Sequence, residues 1–302
     1  MVTTREWDGL VTVIDRCQEA VTRGKQVWAA AHYAEYRLSL DAPADFAGEV
    51  VSHGSAAGTL GPHWEVAAST HTWADLEPHL SNPRSRALVA HERALRGDDV
   101  EDAAIDRAVI DLPLRLEPFE PSYPPAVYRP DKASFPEMDR VTMEWTDLPD
   151  EQTPVDDAQS TDALRALVSA WVDESSGSAD VACAEGSALD AIRAIGPRRA
   201  MWSPVSFTRA LGAMQWAGAS GGAYGRRRGG PVGRAAAWWA TGVILGMEDD
   251  WPVDAGELAA AAERLEWGLW SPGDHEVGWQ FHLTVADPDE RLAWAVSATD
   301  AV

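Results

Sequence analysis

The sequence predicts an α+β protein, predominantly α-helical, with stacked helical hairpins and a small antiparallel sheet that includes a C-terminal β-hairpin. Three observations predict it. Apolar residues recur at helical spacing through the first third of the chain and again after Thr161, which places one face of each helix in a core. Prolines crowd the stretch between, which excludes long helices there. Strict apolar/polar alternation then runs from Trp279 to Val296 around an Asp287-Pro-Asp-Glu290 turn, the pattern of a half-buried hairpin.

The chain has 302 residues, 45% hydrophobic and 24% charged, enough for one large core or two smaller ones. Its 15 tryptophans outnumber the 5 phenylalanines and 5 tyrosines, so ring burial supplies much of the core. The formal net charge is −23. Phosphate backbones and anionic membranes are repelled by such a surface, which excludes general nucleic-acid or membrane binding. The N-terminus has neither a cationic start nor a long apolar run, so a secretory signal is not expected and the expected compartment is the cytoplasm. The longest apolar run, Ala235–Met247, is 13 residues, short of the roughly 20 that a membrane span needs. Cys17 and Cys183 have no motif spacing and are expected to be reduced and buried.

Along the chain, Leu10, Val13, Ile14 and Cys17 predict a helix over 4–22, and Gln26–Leu40 a second that Pro43 ends. Shorter helices are expected at 44–53, 62–69 and 83–96, each bounded by glycine or proline. Together these form an N-terminal helical part, 1–97. A Pro- and acid-rich crossover, 98–160, carries two extended pieces at Ala108–Leu116 and Arg140–Trp145 and ends in a linker from Glu151. The C-terminal helical part, 161–302, starts with helices at 161–173 and 186–195. Helices Pro204–Trp216 and Pro231–Leu245 follow, and Asp254 and Glu257 form a capping box before Leu258. The β-hairpin 279–296 should recruit the two crossover strands, because an isolated hairpin is marginal in water.

Lysine occurs at Lys25 and Lys132 alone, so positive charge in this chain is arginine. It gathers in the segment Gly218–Arg234, which holds seven glycines and the arginines Arg226, Arg227, Arg228 and Arg234. Glycines let successive N–H groups converge, and the following helix offers the positive end of its dipole. Cations at that end oppose the dipole, so the arginines need an anion beside them. Two sources fit. One is a small anionic ligand or an acidic protein partner, held by Gly221, Gly222, Tyr224, Gly225, Arg226, Arg227, Arg228 and Arg234. The other is the protein itself, its arginines clamping carboxylates of the 98–160 crossover while the glycines let the flanking helices pack closely. The segment lacks the Gly-Lys-Ser/Thr of a phosphate-binding loop and does not follow a strand as a dinucleotide fingerprint would.

Other chemistry-bearing groups are sparse. His32 and Glu35 stand three apart, as in helical-bundle metal sites, but such sites need further Glu–His pairs, and His63, His71, His79 and His91 supply none by spacing. Asp274-His275-Glu276 with His282 is a second cluster, His282 standing on the hairpin face opposite Trp279–Val285. No metal and no cofactor is expected. Trp238-Trp239 and the Trp267/Trp270 pair read as core aromatics or a cage for a cation. No nucleophile elbow and no Cys–His pair occurs.

The run Ala217–Gly229, with Gly233-Arg234 and Trp238-Trp239, resembles a segment of uncharacterised actinobacterial proteins of similar length, for which no activity is implied. The reading is therefore of a binding or interaction protein with an anion-binding Gly/Arg segment. The alternative is an enzyme acting on a phosphate- or carboxylate-bearing small molecule, its arginines binding the anion and an acidic or histidine side chain moving a proton.

Overall fold

The computed structural model describes residues 2, 4–54, 60–273 and 278–301, and the chain groups into two compact units. The first comprises Met1–Leu116, Tyr123–Pro136 and Arg227–Pro231; the second Glu117–Ser122, Glu137–Arg226 and Val232–Val302.

The first unit is helical. Its elements are α1 (Trp7–Thr22), α2 (Trp28–Asp41), α3 (Ala44–His53), α4 (His63–Ala68), α5 (Trp73–Leu76) and α6 (Pro83–Leu95), followed by a two-stranded antiparallel hairpin of β1 (Val127–Arg129) and β2 (Lys132–Ser134). Local chemistry sets the ends. Pro43 separates α2 from α3, and Thr72 and Asp75 make a capping box at α5. Asn82 accepts the Arg84 and Ser85 N–H groups at the start of α6, with Pro83 where no N–H is needed. Leu10 and Ile14 of α1 bury against Ala34 and Leu38 of α2. Tyr36 and Leu40 of α2 meet Val66 of α4, with Ala126 and Tyr128 of the hairpin.

The second unit is built on a seven-stranded sheet. In chain order it holds β3 (Glu144–Asp147), β4 (Thr153–Pro154), α7 (Ala158–Ala166), α8 (Ser169–Asp173), β5 (Ser178–Glu185), α9 (Ala188–Ile195) and β6 (Arg199–Val205). Then come α10 (Phe207–Ala219), α11 (Gly230–Ile244, its first two residues grouping with the first unit), α12 (Ala255–Ala262), β7 (Glu266–Ser271), β8 (Trp279–Asp287) and β9 (Leu292–Asp300). The strand order is β3-β6-β7-β8-β9-β5-β4, antiparallel throughout. The C-terminal hairpin is β8–β9, its turn held by Asp287 accepting the Asp289 and Glu290 N–H groups. Both faces of the hairpin are covered. Ala191 and Ile192 of α9 pack on Ala286, Ala293 and Ala295, while Phe207 of α10 lies 5.3 Å from the Trp267 ring, on the face of Val285.

The α+β class stands, with a larger sheet than the alternation alone implies. Three strands, β5, β6 and β7, come from stretches whose spacing shows no clear period. Pro204 lies in β6, so the helix expected from it starts at Phe207, where Ser206 caps the Arg209 N–H. The expected strand Arg140–Trp145 becomes Glu144–Asp147, paired with β6. Ala108–Leu116 forms no strand. Its alternation is real, since Ile110, Leu112 and Leu114 are buried, but Leu114 fills a helical core with Ala90, Ala94 and Val100. Pro113 also removes a ladder donor. The expected linker from Glu151 instead carries β4 and the start of α7. Among the described residues no helix is long and apolar enough to cross a membrane.

Candidate functional site

The Gly/Arg segment belongs to both units: Gly218–Arg226 and Val232–Arg234 to the second, Arg227–Pro231 to the first. Each part is built separately.

In the first unit, Glu65 on α4 is fully buried. Arg227 donates from Nε to its Oε2 at 2.9 Å and from Nη2 to its Oε1 at 2.9 Å. Tyr128 of β1 donates to Oε2 at 2.6 Å, and the Gly230 N–H, the first of α11, to Oε1 at 3.3 Å. An anion at a helix N-terminus is favourable, and here the anion is the protein's own glutamate. Burial opposes the charge on Arg227, but the Glu65 carboxylate outweighs it and holds the guanidinium above its ordinary range. Burial and the Glu65 charge push the Tyr128 hydroxyl well up, which keeps it a donor. The Arg227 guanidinium also lies 5.0 Å from the Phe135 ring centroid. Gly229 is required: its φ is +95°, and a Cβ there would run into the Trp64 ring.

In the second unit, Arg234 lies in the first turn of α11 and is completely buried. It grips Glu120 with two bonds, Nε to Oε2 at 2.7 Å and Nη2 to Oε1 at 2.6 Å, the fork geometry that guanidinium and carboxylate share. Trp238, one turn on, donates Nε1–H to Glu120 Oε2 at 3.2 Å. The Glu117 N–H bonds Oε1 at 3.0 Å. Gly233 lets α11 lie against the backbone of Gln215 and Ala219 in α10, where any Cβ would collide.

The outer part of the segment is pinned through its backbone. Asp300 of β9 accepts the Ala223 N–H at 2.5 Å, Ser175 Oγ accepts the Tyr224 N–H at 2.9 Å, and Ser220 Oγ accepts the Gly222 N–H at 3.0 Å. Gly221 is buried against the Arg226 carbonyl, Gly222 has φ +74°, and Gly225 packs on Gly221. Exposure then alternates: Tyr224, Arg226 and Arg228 are exposed, while Gly225 and Arg227 between them are not. So the structure takes Arg227 and Arg234 inward to carboxylates and leaves Tyr224, Arg226 and Arg228 outward. One of the two carboxylates, Glu120, lies in the crossover; Glu65 does not.

The histidines do not converge on a metal: no group of three or more His, Cys, Asp or Glu among the described residues is placed to hold one. His63 Nε2 sits 3.4 Å from Glu35 Oε2, both buried, and His71 bonds the Ala42 and Ala67 carbonyls. Asp274, His275 and Glu276 lie outside the described residues. His282 is 4% exposed rather than open to solvent, with its ring centroid 4.8 Å from that of Trp270. Burial pushes its pKa down to about 4, so it stays neutral. Trp267 and Trp270 are core residues that donate to the Ala262 and Val296 carbonyls. Trp238 is buried and Trp239 exposed, the divergence expected of neighbours about 100° apart on a helix. Cys183 is buried, its thiol pushed up to about 11 by burial, and Cys17 is half-buried; both are free.

The carboxylates that complete the site, Glu65 and Glu120, were not identified from sequence. A faint signal exists, because Glu65 is a lone acid among apolar neighbours in His63-Trp-Glu-Val-Ala-Ala68 and Glu120 is flanked by an aromatic residue and prolines in Pro118-Phe-Glu-Pro121. An acid so placed is buried only if a cation or donors meet it.

The chain belongs to a family of unknown function (DUF6183), whose profile matches residues 1–301. No curated protein and no solved structure matches it.

Proposed function

We propose, with membership of a family of unknown function as the premise, that this is a binding protein whose Gly/Arg segment meets a small anion or an acidic protein segment. Arg227 and Arg234 anchor the segment from inside through Glu65 and Glu120. Gly221, Gly222 and Gly225 shape its backbone, and Tyr224 and Arg226 make the contacts. The observation that carries this reading is the alternation of exposure from Tyr224 to Arg228 on a backbone pinned by Asp300 and Ser175. In a chain of net charge −23, an exposed arginine on a fixed backbone, two residues from an exposed tyrosine, offers an anion a local positive, planar donor. The pinned backbone also lowers the ordering cost of binding.

Thermal shift against inorganic phosphate, a nucleoside triphosphate, a dicarboxylate and an acidic peptide tests it. A ligand at 100 times its Kd adds about 2.7 kcal/mol of stability. Wild type should gain stability from at least one probe, and Arg226→Ala should lose that gain while melting as wild type does without ligand. No gain with any probe refutes the reading. Turnover of a probe would move it to the enzyme alternative.

A further inference from the structure

On one side the sheet of the second unit ends at β5, and β4 covers only part of that strand. Thr153 and Pro154 pair with Glu185 and Ala184, and the Val155 N–H reaches the Cys183 carbonyl at 2.9 Å. Exposure follows that cover. Cys183 and Ala184 are buried, whereas Ser178 and Asp180 are exposed and Ala179, Val181 and Ala182 are half-buried.

The direction of the backbone groups is fixed by two bonds. Along an antiparallel strand each residue turns both its N–H and its C=O to the same side, and successive residues alternate. The Gly186 N–H bonds the Arg291 carbonyl, on the β9 side, at 2.8 Å, so the even-numbered residues of β5 face β9. The odd-numbered ones face away, as the Cys183 carbonyl does toward Val155. Ala179 and Val181 therefore turn their N–H and C=O groups out of the sheet. Among the described residues no strand pairs with them on that side, and no other hydrogen bond reaches them. Proline, lysine and bulges commonly blunt such edges. Ser178–Ala182 carries no proline or lysine, and its register with β9 runs unbroken.

A second copy fits this edge poorly. The two-fold register that uses every free group sets Ala179 against Val181 and Asp180 against its own counterpart, a close pair with Cα atoms about 4.5 Å apart. Asp180 is exposed and enters no ion pair among the described residues. Like charges directly opposite each other destabilise a strand pair, and opposite charges stabilise it. A basic residue facing Asp180 is thus favoured, and the net charge of −23 draws basic partners to the surface.

We propose that the open edge of β5 docks an extended basic segment of a partner protein, which joins the sheet as a further antiparallel strand. Apolar side chains of that segment lie beside Ala179 and Val181, and a lysine or arginine between them meets Asp180. Main-chain bonds supply the affinity and the alternate side chains the specificity. This site takes a cationic partner and does not depend on anion binding at the Gly/Arg segment.

The test adds the capped peptide Thr-Val-Lys-Val-Thr to the 15N-labelled full chain and follows amide shifts and hydrogen exchange by NMR. Without peptide, the Ala179 and Val181 amides should exchange fast and those of Asp180 and Ala182 slowly. Millimolar peptide should shift and protect Ala179 and Val181. The same peptide N-methylated at both valines, which has lost the donors for the Ala179 and Val181 carbonyls, should leave them unmoved. Thr-Val-Glu-Val-Thr should bind several-fold more weakly than the lysine peptide, and Asp180→Lys, a change at an exposed position, should reverse that order. The proposal is overturned if Ala179 and Val181 are protected without peptide, because the edge is then already held. It is equally overturned if the lysine peptide moves neither amide, or if wild type binds the lysine and glutamate peptides alike.

Discussion

Two arginines of one segment meet glutamates in two different ways. Arg234 is sealed: it is 0% exposed, doubly bonded to Glu120, and supported by Trp238. Arg227 is a partner in a wider cluster, with a side chain 10% exposed, and its glutamate has Tyr128 and a helix N–H in reserve. Each glutamate keeps neutral donors without its arginine, so the contrast lies in burial: Arg234 is sealed from water, whereas the Arg227 side chain is partly exposed. A buried ion pair is weak evidence of net stabilisation, because desolvation offsets much of the attraction, but removing one partner strands a charge. The difference therefore predicts unequal costs for the same mutation.

The largest effect is expected at the sealed pair. Arg234→Ala should cost about 3–5 kcal/mol by leaving Glu120 buried without its cation, measured by urea denaturation. Arg234→Met with Glu120→Leu should recover most of that loss, since a matched apolar pair of similar volume is often neutral. Equal damage from the double variant would mean that the pair's geometry, not its charge balance, holds the second unit. Arg227→Ala comes next, at about 1.5–3 kcal/mol, the worth of hydrogen bonds to a charged group, because water reaches the place of its partly exposed side chain. Tyr128→Phe should cost about 1–2 kcal/mol on the same grounds. If Arg227→Ala proves as harmful as Arg234→Ala, the partial exposure of Arg227 does not soften the loss of its charge.

The two units should also diverge with pH. In the first, burial and the Glu65 charge raise the carboxyl of Glu92 on α6, so stability falls from about pH 4.5 toward 8. In the second, burial opposes the charge of Asp157, but bonds from Ser160 and the Trp294 indole hold its pKa below the ordinary 3.8. That stabilisation is present above 3.8 and is lost as pH falls through the depressed value. Hydrogen exchange resolved by residue should show α6 opening more readily at pH 8 than at pH 5, with β9 unchanged over that range. Parallel behaviour of the two would count against a raised carboxyl at Glu92. The smallest stability effects belong to the exposed residues: Tyr224→Ala and Arg226→Ala should stay within about 0.5 kcal/mol of wild type.

Legibility in the sequence followed the same division. A helix with one apolar face, such as α1, was readable because period and burial agree there, and the hairpin β8–β9 because its apolar residues alternate, although both of its faces are buried. Strands β5, β6 and β7 were not, because both sheet faces are covered in places and apolar residues no longer alternate cleanly; Trp267, Gly268, Leu269 and Trp270 are all buried. Ala108–Leu116 failed in the opposite sense, its true alternation serving a helical core with no partner strand. In the site, the arginines and glycines announced themselves by scarcity and density. Their partners did so only faintly, since Glu65 and Arg227 are 162 positions apart and Glu120 and Arg234 are 114 apart, and an apolar neighbourhood is weak evidence for two residues among 48 Asp and Glu.

The division of the segment into inner anchors and outer contacts is tested most directly by isothermal titration of wild type and Arg226→Ala with the anionic probe that gives the largest thermal shift. The account predicts saturable binding to wild type and at least a tenfold weaker Kd for the variant, a change of about 1.4 kcal/mol, with no loss of fold. Equal affinity for the two proteins would contradict it.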